Sequence, residues 1–319
     1  KYLKGNNMEV KYWEFEQDGV KYNLYDMPDG FVVKGDLNLS SKDLTELPDL
    51  SKVIVEGDFF CDNNKLTSLK GSPQKVGGNY TCSANVITSL VGAPQEVGGY
   101  FECSYCALTS LLGAPRKVGE SFDCSYNKLR SLEGGPEQVG KDFECDDNNL
   151  TSLKGAPREV SGTFLCFKNE LVTLEGGPQK VGGVFNCEQN KLTTLEGAPQ
   201  EVGGDFYCTE NNLNSLKGAP KTVGGDMLCG DNKLGSLFWV PTLNPDMMVY
   251  CDDDMCKKYG FDTSENGIAY KDLMESPAYK SEAAIYRMSA KKQEEKQKIL
   301  EKRKSEFAAF KKQFSIEEY

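Results

Sequence analysis

The residues able to do chemistry in this sequence are cysteines and carboxylates. Twelve Cys and 48 Asp plus Glu stand beside 37 Lys plus Arg, and there is no His. Without His, the commonest general base and the commonest metal ligand are both missing. A formal net charge of −11 disfavours direct binding to nucleic-acid phosphates. Nine cysteines fall at 61, 82, 103, 124, 145, 166, 187, 208 and 229, always 21 residues apart. Zinc needs four ligands converging on one point. Equivalent residues of stacked turns instead lie in a line roughly 5 Å apart and point in parallel, which also suits a disulfide badly. The column is therefore expected to be small buried thiols, kept reduced in a cytoplasmic compartment. The acidic runs Asp146-Asp147 and Asp252-Asp253-Asp254 could hold Ca²⁺, but no D-x-D-x-D-G loop accompanies them. No P-loop, dinucleotide fingerprint or Ser/His arrangement is present. The expectation is no metal, no cofactor and no catalytic residue.

The elements that must position these side chains follow from the same period. Prolines at 73, 94, 115, 136, 157, 178, 199, 220 and 241 keep the step of 21, and so do valines from Val76 to Val223. A period of 20–29 residues marks a solenoid, in which each turn covers its neighbour's apolar face. One unit reads, from Phe206, F-Y-C-T-E-N-N-L-N-S-L-K-G-A-P-K-T-V-G-G-D. Phe206 and Cys208 alternate with Asp205, Tyr207 and Thr209, the period of two of a strand with one buried face. Three residues after each Cys comes Asn, except at Cys106. A buried amide there can satisfy bare backbone in adjacent turns. Leu213 and Leu216 then point inward. Pro and the Gly pair return the chain along the other side, where extended or 3₁₀ structure is expected.

The pattern x-F-x-C-x-x-N-x-L-x-x-L resembles the leucine-rich repeat, with Phe and Cys on two leucine sites. The resemblance covers about 220 of the 319 residues. The opening unit with Leu37, Leu39, Leu44 and Leu47 resembles the bacterial effector type. The variant L-x-G-A-P-x-x-V-G-G-x-F-x-C-x-x-N is similar to arrays of bacteriophage and bacterial proteins. The implied fold class is an α/β solenoid, mostly β, with short or extended convex segments, an N-terminal β cap and a C-terminal helical tail. The expected domains are a β-rich cap over 1–34, about eleven coils over 35–256, and a helical cap with a basic tail over 257–319. Val249, Cys251 and Asp254 are read as a degenerate last unit. In some bacterial effectors of this type a C-x-D cysteine is a ubiquitin-ligase nucleophile. Cys251-Asp252-Asp253 carries that signature, but the 68 residues that follow are too few for the domain it needs.

Both ends need caps. Residues 10–34 are aromatic and broken by Asp18-Gly19 and Asp29-Gly30, so they read as a hairpin or meander. Trp13, Phe15, Tyr22 and Tyr25 are expected to cover the first coil. Lys1 to Val10 is polar, so it is not read as a secretory signal, and the missing initiator Met is read as a processed or trimmed end. Ser276-Pro277 reads as an N-cap and first helical residue. One or two helices are expected to follow, to about Gln313. Residues 280–312 carry 11 Lys/Arg against 5 Asp/Glu. Ile285, Met288, Ile299, Phe307, Phe310 and Phe314 form a sparse, irregular apolar stripe.

In a leucine-rich repeat the strand residues between the inward ones face the concave side. Counted at −3, −1, +1 and +2 from each of the nine cysteines, 13 of these residues are acidic and one, Lys168, is basic. The predicted partner-binding residues are Glu102, Tyr105, Asp123, Tyr126, Asp142, Glu144, Asp146, Asp147, Phe167, Glu188, Asp205, Tyr207 and Glu210. A wall of one sign attracts the opposite charge, and exposed aromatic residues anchor interfaces. The expected function is a non-catalytic scaffold for a protein with a basic surface, used as a phage or bacterial inhibitor of a host or defence protein. Direct nucleic-acid binding and membrane association are not expected. Two alternatives remain open: an acidic nucleic-acid mimic that blocks a nuclease or DNA-binding protein, and an assembly module joined through the C-terminal helices as a homo-oligomer.

Overall fold

The computed structural model describes residues 14–263 and 267–313, with the side chains of Ala290 and 306–313 excepted. Trp13, Phe314 and the polar N-terminal stretch lie outside these residues, as do the side chains of Phe307 and Phe310. The chain winds as a β-solenoid. A 12-stranded sheet runs the length of the array, and all its strands pair in parallel except the last. Its eleven parallel strands, from Leu37–Asn38 to Met248–Tyr250, bound ten turns. At about 4.8 Å per strand the sheet is about 48 Å long.

Each repeat column does the packing its spacing implies. Phe at −2 from Cys, the Cys itself and the two leucines are fully buried through the middle of the array, so each turn covers the next; Leu234 near its end is half-buried. The phenyl rings of Phe101, Phe122, Phe143, Phe164, Phe185 and Phe206 follow at 5.3–5.7 Å. Two residues break the Phe column, Met227 and Tyr80, and Tyr80 brings a hydroxyl into the core. It hydrogen-bonds the Ser72 hydroxyl at 2.7 Å, where the next seven coils have Ala or Gly. The asparagines bridge turns as expected. Asn148 Nδ2 donates to Cys124 O and Cys145 O, and its Oδ1 accepts from Leu129 N–H. Cys106, in the same column, gives only a thiol donor to Cys82 O.

The return segments form a second layer of parallel strands rather than isolated extended chain, and no 3₁₀ turn occurs among the described residues. The Val column supplies its buried face. This layer is split into six strands ending at Gln138–Val139 and four beginning at Glu159–Val160. A Cβ at Gly98, Gly119, Gly140 or Gly203 would lie 1.9–2.1 Å from a carbonyl oxygen of the preceding turn. Ser161 stands in that glycine column, on the four-stranded side of the split. The glycines therefore serve close approach of the turns there. The separate column from Gly71 to Gly218 has φ from 85° to 105°, which a side chain would strain.

At the N-terminal end, Glu14–Gln17 and Val20–Asn23 form a hairpin whose turn, Asp18-Gly19, has φ of 53° and 76°. This is the two-residue turn that matches strand twist. Phe15, Tyr22 and Phe31 cluster at this end, Phe15 stacked on Tyr22 and Tyr22 tilted against Phe31, and Leu24 is buried. Tyr25 follows the second strand of the hairpin. Its side chain is largely exposed, and Phe31 meets Phe15 edge-on at 6.0 Å. At the other end Gly267–Ala269 pairs antiparallel with Met248–Tyr250 and covers the sheet edge. Three helices follow from the array: α1 (Asp253–Tyr259), α2 (Tyr270–Glu275) and α3 (Pro277–Gln313). Asp254 sits in the first turn of α1, where a carboxylate suits the helix dipole, and so does not extend the Asn column. Ser276 Oγ accepts from Tyr279 N–H and starts α3.

Candidate functional site

The site is built from three columns on the outward face of the long sheet. The −1 column lies in the strands and is paired in register, so Glu102 stands beside Asp123 and Asp123 beside Glu144. Leu165, Asn186 and Tyr207 continue it. The +1 column carries Asp146, Phe167 and Glu188. Every residue of the +2 column, from Asn63 to Asp231, has φ between 49° and 53° although none is Gly. The left-handed turn costs roughly 1–2 kcal/mol per residue. It recurs because it swings the chain so that the next residue, Asn, reaches the core. It also turns Tyr105 and Tyr126 out to solvent, 59% and 39% exposed. Their rings stack at 4.3 Å and 9°.

Several predicted carboxylates are engaged in holding the turns together. Asp142 Oδ1 accepts from Thr163 N–H, and Asp205 Oδ1 from Asp226 N–H. Asp123 Oδ1 accepts from the Ser125 amide and hydroxyl. Tyr207 donates to Asp205, Thr209 to Glu188, and Gln189 to Glu210. Asp147 meets Lys168 at 3.6 Å. One residue departs from the expectation of an open wall: Asp146 is only 4% exposed, although a +1 position faces outward. The bulk of neighbouring turns closes over a short side chain there.

The centre of the wall is left electrically unbalanced. No hydrogen bond from another described residue reaches the Glu144 or Asp146 carboxylate. Burial, then the charges of Asp123, Asp146, Asp142 and Glu102, push Glu144 up to about 7. Burial is also the main cause that pushes Asp146 up to about 6, with Asp123 and Asp147 adding to it. The Tyr126 hydroxyl, hydrogen-bonded to Tyr105 and facing Asp147, is pushed up to about 12. Carboxylates in this state favour a cation beside them. The structure thus brings Glu102, Asp123, Glu144 and Asp146 into one central group, with the tyrosine pair, Asp147 and Phe167 on the adjoining columns. Asp205, Tyr207 and Glu210 lie farther along the wall.

The cysteines hold no comparable chemistry. Burial raises the thiols of the whole column, and Cys251 with them. A thiol held protonated is a poor nucleophile. Among the described residues no group of three or more Cys, Asp or Glu is arranged to hold a metal ion. Sequence reasoning missed a shallow dent of about 420 Å³ at the C-terminal end of the wall, between Thr209, Leu228, Tyr250 and Asp252. Gly230, which leaves the +1 column without a side chain, was the available signal.

No family model matches the sequence, and no curated protein matches it. Among solved structures it is similar to YopM from Yersinia enterocolitica, at 23% identity and a TM-score of 0.49. The match covers 71% of this chain and 51% of that one, so the chain spans about half the length of that protein. Among the described residues no helix is long and apolar enough to cross a membrane.

Proposed function

We propose that the protein is a non-catalytic scaffold that holds a protein partner with a basic surface on the acidic, aromatic-lined concave wall. The observation that carries this reading is the central group of Glu102, Asp123, Glu144 and Asp146 beside the exposed Tyr105–Tyr126 stack. A Lys or Arg brought there would relieve the mutual repulsion of the carboxylates, and its guanidinium or ammonium group could also lie on the tyrosine faces. The aromatic pair favours a protein-specific partner over a nucleic-acid mimic, because a mimic needs charge alone. A role as a phage or bacterial inhibitor of a host protein is the context this scaffold would suit.

The test is affinity capture from bacterial lysate with three baits: the native chain, a Glu102→Lys/Glu144→Lys variant, and a Glu137→Lys variant of the opposite wall. One or more proteins should be retained by the native and Glu137→Lys baits and lost from the double variant. Added duplex DNA should not compete. Retention by all three baits alike would remove the concave wall from the function. Displacement by DNA would favour the mimic.

A further inference from the structure

The helix α3 is longer than its contacts require. Its first turns are anchored to the end of the array. Tyr259 bonds the Glu282 carboxylate, Lys258 pairs with it at 3.1 Å, and Tyr286 stacks on Phe238 at 4.4 Å and 7°. From there the chain contains neither Pro nor Gly, and it continues as one helix to Gln313. Residues 291–305 are exposed throughout. A helix with this little packing depends on a partner for most of its stability. A straight helix anchored at one end cannot fold back onto its own wall.

The exposed part has a directed face. At 100° per residue, Ile285, Met288, Lys292, Ile299, Leu300 and Arg303 fall within an arc of about 120°. Ile285 and Met288 are 65% and 73% exposed. Glu294 and Glu301 lie on the opposite side, with Lys298 paired to Glu294 at 2.7 Å. The helix therefore presents apolar and basic groups together, which is the complement of the acidic, aromatic wall of the array. Residues 291–313 span about 35 Å at 1.5 Å per residue, within the length of the sheet. At physiological salt, charges are screened beyond about 8 Å. Local complementarity then outweighs the repulsion of two chains of net charge −11.

We infer that the basic-apolar face of α3 docks on the acidic concave wall of a second copy of this chain. The inference rests on the reading of that wall as a binding surface for basic protein. Each copy carries both halves of the contact, so the pair can be reciprocal and closed.

The experiment is sedimentation of full-length proteins at 0.15 M-range salt. The native chain should self-associate and dissociate as salt is raised. Lys292→Glu/Lys296→Glu/Arg303→Glu, on an exposed helix that the array fold does not use, should weaken association at least about tenfold. Glu102→Lys/Glu144→Lys should do the same, with folding checked by circular dichroism. Mixing the two variants should restore a heteromeric complex, since a lysine wall now meets a glutamate helix. A native chain that stays monomeric at high concentration overturns the inference. So does self-association that survives the helix reversals. Either result leaves the concave-wall reading standing if lysate capture still depends on Glu102 and Glu144.

Discussion

The two walls of the solenoid handle charge in opposite ways. Along the return strands and the turns that flank them, cations of one turn pair with anions of the next. Arg116 forks onto Glu137, Lys141 meets Glu120, Lys154 meets Glu133, and Lys180 meets Glu201 at 3.2 Å. Every such pair joins adjacent turns, so charge there is balanced within one strand spacing. On the long-sheet wall only Lys168 offers a cation among the counted columns, and burial first, then the neighbouring carboxylates, pushes Glu144 and Asp146 up. One wall is finished by its own chain. The other carries a cost that a cationic partner would remove, and sites of function are where such costs persist.

Breaking the contrast should give opposite signs for stability and binding. Replacing Glu102, Asp123 and Glu144 by Gln, Asn and Gln should weaken capture of a basic partner about 100-fold, or roughly 2.7 kcal/mol. The same change should raise the urea midpoint, because repulsion is removed. Next in size, Tyr105→Ala with Tyr126→Ala should cost about tenfold in affinity. The unfolding midpoint should hardly move, since both rings are exposed, and titration against the captured partner reads the loss.

The pH dependence sharpens the same point. Glu144 titrates near 7 in the folded chain, against an ordinary 4.5. Between these values the folded state holds more proton than the unfolded one, so stability falls as pH rises through the window and levels off above it. Glu144→Gln should therefore stabilise the array at pH 8 and leave it unchanged at pH 4. Partner affinity should fall from pH 8 to pH 6 as the carboxylates protonate. The smallest effect belongs to the balanced wall: a double-mutant cycle of Arg116→Ala and Glu137→Ala should show a small coupling that salt removes. A coupling that survives high salt there would mean that the pair is not merely solvated.

Much of this architecture could be read from spacing, because a solenoid repeats its physical problem every turn. Cys, Phe, Asn and Leu each recur at a fixed offset, so their burial and the amide ladder followed directly. The hairpin was written in Asp18-Gly19. The second parallel layer was not legible, since a strand such as Lys75–Val76 buries a single Val between Pro and the Gly pair, with no second inward residue to show a period. The structural duty of the −3 column was legible but missed. Asp58, Asn79, Ser121, Asp142, Thr163 and Asp205 are all short side chains with an acceptor oxygen, which is the chemistry of a backbone cap. Asp146 had no such signal, because burial of a +1 side chain depends on what adjoining turns place around it. The tyrosine stack was predictable as proximity, and its ring geometry was not.

The column of free, buried thiols gives the molecule an internal ruler. Nine equally spaced sulfurs are shielded while the turns are stacked, and each becomes reactive only when its own turn opens. Pulsed alkylation read by peptide mass would then record fraying from either end, coil by coil, with no label introduced. A chain allowed to open in an oxidising medium would meet the opposite fate, since identical sulfurs brought together out of order could lock the array in the wrong sequence of turns.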